Sequence, residues 1–120
     1  MKKINPTDKF FIAGAKGMVG KAVKKCLLKN GYGKSNLKPN LLTPSKKELN
    51  LLNINSVEEF FKINKPNVVI MAAAKVGGIL ANSNFPADFL LENLKMQTNV
   101  IETSWNHGVR RLLFLGSSCI

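Results

Sequence analysis

The sequence predicts an α/β domain built on a doubly wound parallel sheet. Short apolar runs alternate along the chain with segments whose apolar residues recur at helical spacing, and this alternation is typical of parallel strands joined by helical crossovers. A glycine-rich loop directly follows the first apolar run. Since 120 residues suffice for one hydrophobic core, we expect residues 1–120 to form one domain without an internal boundary.

The first half of the chain predicts two strands and a helix. Residues 9–13 are short and mostly apolar, which indicates a buried strand. Residues 39–43 predict a second strand, and a minor extended segment is expected at residues 49–52. A helix is expected over residues 17–30, where Gly31 can provide a left-handed end. Its apolar residues recur at helical spacing: Met18, Val19, Ala22, Val23, Cys26 and Leu27.

The second half continues the alternation. Ser56 and Glu59 have the spacing of a capping box, which predicts the start of a second helix. Residues 68–73 are continuously apolar and predict a strand buried on both faces. A third helix is expected over residues 86–106 and a last strand over residues 110–116, so the sheet would stop, incomplete, after about the fifth strand. Four apolar residues share one side of the third helix: Leu90, Leu94, Ile101 and Trp105.

The composition excludes several classes of protein. Cys26 and Cys119 are too few for a disulfide framework and lack the spacing of a metal site. Cys26 is expected to pack on the apolar face of its helix. Reduced thiols fit a cytoplasmic location best. No stretch approaches the roughly 20 apolar residues of a membrane span, so we expect no membrane association.

The net charge of +11 attracts phosphate groups in general. Nucleic acid is therefore one possible partner. However, the lysines are spread along the chain and are not clustered with aromatic residues, and Lys21, Lys25 and Lys29 follow the stripe of a solvated helix face. A general lysine bias explains the charge better than nucleic-acid binding does.

The glycine-rich loop predicts a dinucleotide site on a Rossmann-like fold. Gly14, Gly17 and Gly20 would permit, in turn, a tight turn, a close approach of the backbone to a pyrophosphate, and close packing of helix on strand. The amides of the following helix would face the phosphates. The alternative is a strand–turn–helix in which the glycines are only structural. The residues expected to bind the cofactor here are Gly14, Ala15, Lys16, Gly17, Met18, Val19 and Gly20.

The charge near the loop favours NADP over NAD. An NAD site usually carries an acid after the second strand, which binds the ribose hydroxyls. Here no acid occurs between residue 43 and Glu48, whereas Lys46 and Lys47 precede that glutamate and Lys16 lies in the glycine loop. Lysines at these positions favour a ribose 2′-phosphate. The alternative is that they are simply exposed lysines of a lysine-rich chain.

Five segments match a known family: residues 11–20, 48–52, 72–79, 86–89 and 113–120. They resemble the GDP-L-fucose synthases, which belong to the extended short-chain dehydrogenase/reductases. The runs Ala-Ala-Ala-Lys-Val-Gly-Gly and Gly-Ser-Ser-Cys-Ile are specific to this branch. The resemblance covers nearly the whole chain from its first predicted strand onward.

The resemblance implies an enzyme that epimerises C3 and C5 of GDP-4-keto-6-deoxy-D-mannose and reduces the C4 ketone with NADPH. It implies that Ser117 hydrogen-bonds the C4 oxygen, where a hydroxyl donor can stabilise a developing alkoxide. It also implies that Cys119 is an acid/base in epimerisation, which a thiol of tuned pKa can perform. Ala73, Ala74 and Lys75 are expected at the carboxyl edge of the sheet, where small side chains would let the cofactor lie close.

The resemblance further implies a homodimer, to which the third predicted helix would contribute half of a helix bundle. The family also uses a Tyr-x-x-x-Lys pair. The single tyrosine here is Tyr32, and the residue four positions later is Asn36. We therefore expect these 120 residues alone to have no reductase activity.

Two other functions stay open at this point. The chain could belong to another NAD(P)-dependent sugar-nucleotide epimerase or dehydratase of the same superfamily. It could also be a nucleotide-binding or interaction module that uses the fold without chemistry.

Overall fold

A computed structural model describes residues 4–33, 40–73 and 86–115 of the chain, apart from the side chains of Pro86 and Phe89. Strands and helices alternate along these residues, as the sequence predicts. The elements are β1 Phe10–Ala13, α1 Met18–Lys29, β2 Leu41–Leu42, α2 Ile54–Asn64, β3 Val68–Met71, α3 Pro86–Asn106 and β4 Arg111–Phe114.

The four strands form one parallel sheet in the order β2-β1-β3-β4. Phe10 is in register with Leu41 of β2 and with Val68 of β3. The chain thus builds outward from β1 to β2 and then crosses back to the other side of β1. This reversal confirms the doubly wound prediction and opens a crevice at the carboxyl ends of β1 and β3, where such sheets bind ligands.

Each face of the sheet carries its own apolar core, because successive strand residues point to opposite faces. Phe10 and Ile12 lie in the core on the α1 side. Phe11 lies in the core on the other side, which also contains Phe61 of α2 and Val100 of α3. All residues of β1 and β3 are buried, which confirms that these strands are covered on both faces.

The beginning of α2 differs from the prediction. The helix begins at Ile54, and the side chain of Asn53 accepts hydrogen bonds from the amides of Asn55 and Ser56 at 3.0 and 3.2 Å. Ser56 therefore lies inside the first turn, and the predicted capping box with Glu59 is wrong. Asparagine is among the strongest N-caps, and it comes before the serine in the chain.

The segment at residues 49–52 is a turn and not the minor strand that was expected. The amide of Leu52 donates to the side chain of Asn50 at 3.0 Å. The carbonyl of Leu51 accepts from Asn99 of α3 at 2.8 Å. Side chains and backbone groups of nearby turns, rather than a neighbouring strand, satisfy this backbone. Leu49 is buried in the core on the α2 side.

The prediction that Cys26 packs inside is also wrong, because its side chain is exposed. The covered side of α1 is narrower than the apolar pattern indicates: Val23 and Leu27 pack on the core, and Gly20 is the buried residue of the helix. Met18 and Val19 are exposed. Gly20 lies against the backbone of Gly14 and Ala15, directly after β1.

The helix α3 covers the sheet with one side and leaves an apolar stripe on the other. Val100, Thr103 and Ser104 are buried. The residues predicted to share one side do so on the exposed surface, and this stripe consists of Leu90, Leu94, Ile101 and Trp105.

A polar cluster closes the amino edge of the sheet, away from the crevice. Asp8 forms an ion pair with Arg110 and accepts a hydrogen bond from the Asn5 amide at 2.8 Å. Asn40 donates to the carbonyls of Pro6 and Asp8, each at 3.0 Å. These contacts tie the lead-in segment to the residues just before β2 and β4.

Among the helices in the described parts of the chain, none has the length and apolar character needed to cross a membrane.

The capping of α2 gives a first test of the structure. We expect Asn53→Ala to lower the free energy of unfolding by about 1 kcal/mol, because two amides of the first turn lose their acceptor. The matched variant Ser56→Ala should change it by less than about 0.5 kcal/mol. Urea denaturation measures both changes. A larger decrease in the free energy of unfolding for Ser56→Ala than for Asn53→Ala would contradict Asn53 as the cap and support the capping box of Ser56 and Glu59.

Candidate functional site

The carboxyl ends of β1 and β3 meet at the glycine loop, residues 14–20. The amide of Ala72 donates to the carbonyl of Ala13 at 2.9 Å, so the two strands stay paired up to their ends. Beyond this pair, Gly14 and Ala73 are in contact. The loop therefore lies at the crevice that the strand order creates.

Gly14 makes the tight turn that the sequence predicts. Its φ of +87° lies in the left-handed region that favours glycine. A Cβ atom at this position would lie 2.6 Å from both the N and the Cα of Ala73. The backbones of the loop and of β3 are so close that only glycine fits between them.

Gly20 fixes the distance between α1 and the loop. A Cβ atom here would lie 1.9 Å from the carbonyl oxygen of Gly14 and 2.7 Å from the Cα of Ala15. Both neighbours are backbone atoms and cannot move aside as a flexible side chain could. The beginning of α1 therefore packs closely on the two residues that directly follow β1.

Gly17 differs from the other two glycines because no contact within residues 4–33, 40–73 and 86–115 requires a glycine there. Its φ is −73°, which any residue adopts, and it is the N-cap of α1. A Cβ atom would meet the Gly14 carbonyl oxygen at 3.5 Å, an ordinary van der Waals contact. The space that glycine leaves open therefore lies on the outer side of the loop, where a ligand would approach.

The N-terminus of α1 is open to an anion. Gly17 has no side chain with which to cap the helix, and the first turn carries no acidic residue. The first-turn amides point out of a helix end that has partial positive charge. Lys16, directly before the cap, is exposed. This arrangement suits a phosphate or pyrophosphate group.

The loop after β2 contains a turn closed by reciprocal hydrogen bonds, which the sequence analysis did not predict. The carboxylate of Glu48 accepts a hydrogen bond from the Ser45 amide at 3.1 Å, and the Ser45 hydroxyl accepts one from the Glu48 amide at 3.3 Å. The amide of Leu49 donates to the Ser45 carbonyl at 2.9 Å. The signal was present, because residues 45–48 read Ser-x-x-Glu just as residues 56–59 do.

Glu48 is also coupled to the glycine loop. The hydrogen bond from the Ser45 backbone, then that from the Ser45 side chain, hold the pKa of Glu48 below its ordinary value, and the positive charge of Lys16 adds to this effect. Because β1 and β2 are adjacent and parallel, the glycine loop and the loop after β2 leave the same edge of the sheet.

The structure describes most of the residues predicted to bind the cofactor. Lys16, Met18 and Val19 are exposed at the crevice end of α1, whereas the side chain of Ala15 is buried against the α1-side core. Ala73 contacts Gly14. The other predicted site residues lie outside the described part of the chain: Ala74, Lys75, Ser117 and Cys119.

Comparison with known proteins places this geometry in a family. The model of the NAD dependent epimerase/dehydratase family matches residues 10–120. GDP-L-fucose synthase 1 of Arabidopsis thaliana is 50% identical over 112 residues, which are 93% of this chain and 33% of that protein. The GDP-L-fucose synthase of Escherichia coli K12 is 43% identical over 113 residues, with 94% and 33% covered. The chain thus spans about a third of these curated relatives.

Solved structures agree with the sequence relatives. MlghC, a GDP-mannoheptose C4 reductase from Campylobacter jejuni with NADP bound, superposes with a TM-score of 0.85 at 38% identity, covering 95% of this chain and 34% of that one. A GDP-L-fucose synthetase from Naegleria fowleri bound to NADP gives 0.78 at 26% identity, covering 97% and 32%. The resemblance to GDP-L-fucose synthases is confirmed.

The glycine loop predicts a sharp contrast between two substitutions. Gly20→Ala should lower the free energy of unfolding by more than about 2 kcal/mol, because its Cβ overlaps backbone atoms. Gly17→Ala should stay within about 0.5 kcal/mol of the original chain. Thermal or urea denaturation measures both, and equal losses would contradict the assignment of Gly17 to the ligand side.

Proposed function

Because the chain belongs to the NAD dependent epimerase/dehydratase family, we propose that it is the NADP(H)-binding portion of an enzyme that epimerises and reduces a GDP-sugar. The complete reaction would convert GDP-4-keto-6-deoxy-D-mannose to GDP-L-fucose. The observation that carries the proposal is the open N-terminus of α1 beside Gly17, at the crevice between β1 and β3.

The residues of the glycine loop fit a dinucleotide. Gly17 leaves room on the outer side of the loop, and the uncapped amides that follow it can donate to the pyrophosphate oxygens. Gly14 and Gly20 hold this backbone against β3 and β1, so the donors are in place before the ligand arrives. When bound, NADPH would supply the hydride that reduces the C4 ketone of the sugar.

The charges around the crevice support NADP over NAD. Lys16 is exposed beside the helix end, and Lys46 and Lys47 are exposed in the turn after β2. Since β1 and β2 are adjacent and parallel, both loops leave the same edge of the sheet. Three ammonium groups there would attract the extra phosphate of NADP. Relatives with 38% and 26% identity were solved with NADP bound.

The catalytic part of the proposal concerns residues outside the described part of the chain. Ser117 would donate a hydrogen bond to the C4 oxygen, and Cys119 would exchange a proton beside the ketone. Both follow β4, whose residue Phe114 is in register with Met71 of β3. Ala74 and Lys75 would follow Ala73 along the cofactor. These roles rest on the family resemblance and on the places of these residues in the sequence, directly after β3 and β4.

The proposed assembly is a homodimer in the cytoplasm. The apolar stripe of α3 supports the dimer, because Trp105 is 86% exposed and Leu90 61% exposed. Such a row of large apolar side chains on one helix is typical of a surface that contacts another protein. The two cysteines support a cytoplasmic location, because they are too few for a disulfide framework and thiols stay reduced in the cytoplasm.

Cofactor titration tests the proposed function. We expect the chain to bind NADPH more tightly than NADH in calorimetric or fluorescence titrations. Lys16→Ala should weaken NADPH binding about tenfold and leave NADH binding nearly unchanged, because only a contact with a 2′-phosphate is lost. Lys29→Ala, also on an exposed lysine but at the far end of α1, is the matched control.

Two results of this titration would contradict the proposal. If the original chain binds neither nucleotide, the glycine loop is only structural. If Lys16→Ala and Lys29→Ala weaken NADPH equally, the effect of Lys16 comes from overall charge and not from a site.

The assembly has its own test. We expect light scattering to detect dimers of the chain, and Leu94→Arg to shift them to monomers by placing a charge in the apolar contact. Glu102→Arg introduces the same side chain on an exposed position of α3 outside the stripe and should leave the dimer intact. A monomer at every concentration of the original chain would contradict self-association through α3.

A further inference from the structure

In the turn at residues 45–48, the one acidic side chain, that of Glu48, is hydrogen-bonded to the backbone of the same turn. One oxygen of the Glu48 carboxylate accepts from the Ser45 amide at 3.1 Å. The reverse bond from the Glu48 amide to the Ser45 hydroxyl, at 3.3 Å, closes a reciprocal pair. A third bond, from the Glu48 amide to the Ser45 carbonyl at 3.1 Å, folds the same turn.

The hydrogen bond between Glu48 and Ser45 matters because of the position of the turn in the fold. The turn follows β2, at the edge of the sheet where an NAD site uses an acid to bind the ribose hydroxyls. A carboxylate that extends toward the ribose would also repel a 2′-phosphate. Glu48 is folded back on Ser45 instead, and the two residues between them, Lys46 and Lys47, are exposed.

We propose that the Ser45–Glu48 pair is a positioning element for recognition of the ribose 2′-phosphate. It ties the carboxylate to the Ser45 amide and fixes the turn in the shape that exposes Lys46 and Lys47, on the same edge of the sheet as Lys16. This inference rests on the proposed NADP(H) site and adds to it two residues that touch no phosphate themselves. Discrimination between NADP and NAD then depends on a hydrogen-bonded turn as well as on the lysines.

Charge and hydrogen bonding make opposite predictions for Glu48, which allows a decisive comparison. If Glu48 acts through its negative charge, which lies near Lys16, removing that charge should strengthen binding of a phosphate. If it acts as an acceptor that holds the turn, Glu48→Gln should preserve binding, since the amide oxygen can still accept from Ser45. Glu48→Ala should then weaken binding, because the turn loses its closing bond.

The experiment uses the full chain with two probes, adenosine 2′,5′-bisphosphate and adenosine 5′-monophosphate, which differ only in the 2′-phosphate. We expect Glu48→Ala and Ser45→Ala each to weaken the bisphosphate about fivefold, the range of one lost hydrogen bond. The monophosphate should stay within about twofold, as should both probes with Glu48→Gln. Glu59→Ala, an exposed acid on α2, is the control for loss of charge.

Several outcomes would overturn the inference. They are equal weakening of both probes, no change with Glu48→Ala, or tighter bisphosphate binding with Glu48→Gln. Each leaves the proposed function standing, provided that the original chain still prefers NADPH to NADH. Failure of the original chain to bind any of these nucleotides would instead overturn the proposed function, and this inference with it.

Discussion

The contact between the glycine loop and the end of β3 is the constraint on which the rest of the site depends. Gly14 lies against the backbone of Ala73, and Gly20 lies against the carbonyl of Gly14. Three backbone segments are therefore packed with no side chain between them. This packing sets where α1 begins, and hence where its unpaired amides point.

Within this frame, the difference between the three glycines separates structure from ligand binding. Two of them are required by the protein, because a Cβ atom would overlap backbone. Gly17 is required by nothing in the described residues, since its conformation suits any residue and its surroundings are open. A glycine without a structural need, at the positive end of a helix, indicates close approach of an anionic ligand. The family match and the NADP-bound relatives agree with that interpretation.

Much of this could be predicted from the sequence. The buried strands β1 and β3 are continuous apolar runs, and the order of elements determines a parallel sheet. The failures were local. Asn53 and Ser56 are both favourable N-cap residues. Which of them caps α2 depends on where the backbone enters the helix, and the sequence pattern does not determine that point. The burial of α1 was overestimated because periodicity shows an apolar face but not how much of it a neighbour covers, so Cys26 was placed inside. In the sequence, Glu48 marks only the end of a stretch without acids and the start of a matched segment, and its pairing with Ser45 was not predicted.

The most direct test of the central claim is a titration of the isotope-labelled chain with NADP+, followed by the NMR signals of its backbone amides. We predict that the largest shifts occur at Gly17, Met18 and Val19, with smaller shifts at Lys16 and Ala73 and none at the amino edge around Asp8. Shifts confined to other surfaces, or scattered over exposed lysines, would contradict the account and show that the open helix end is not a dinucleotide site.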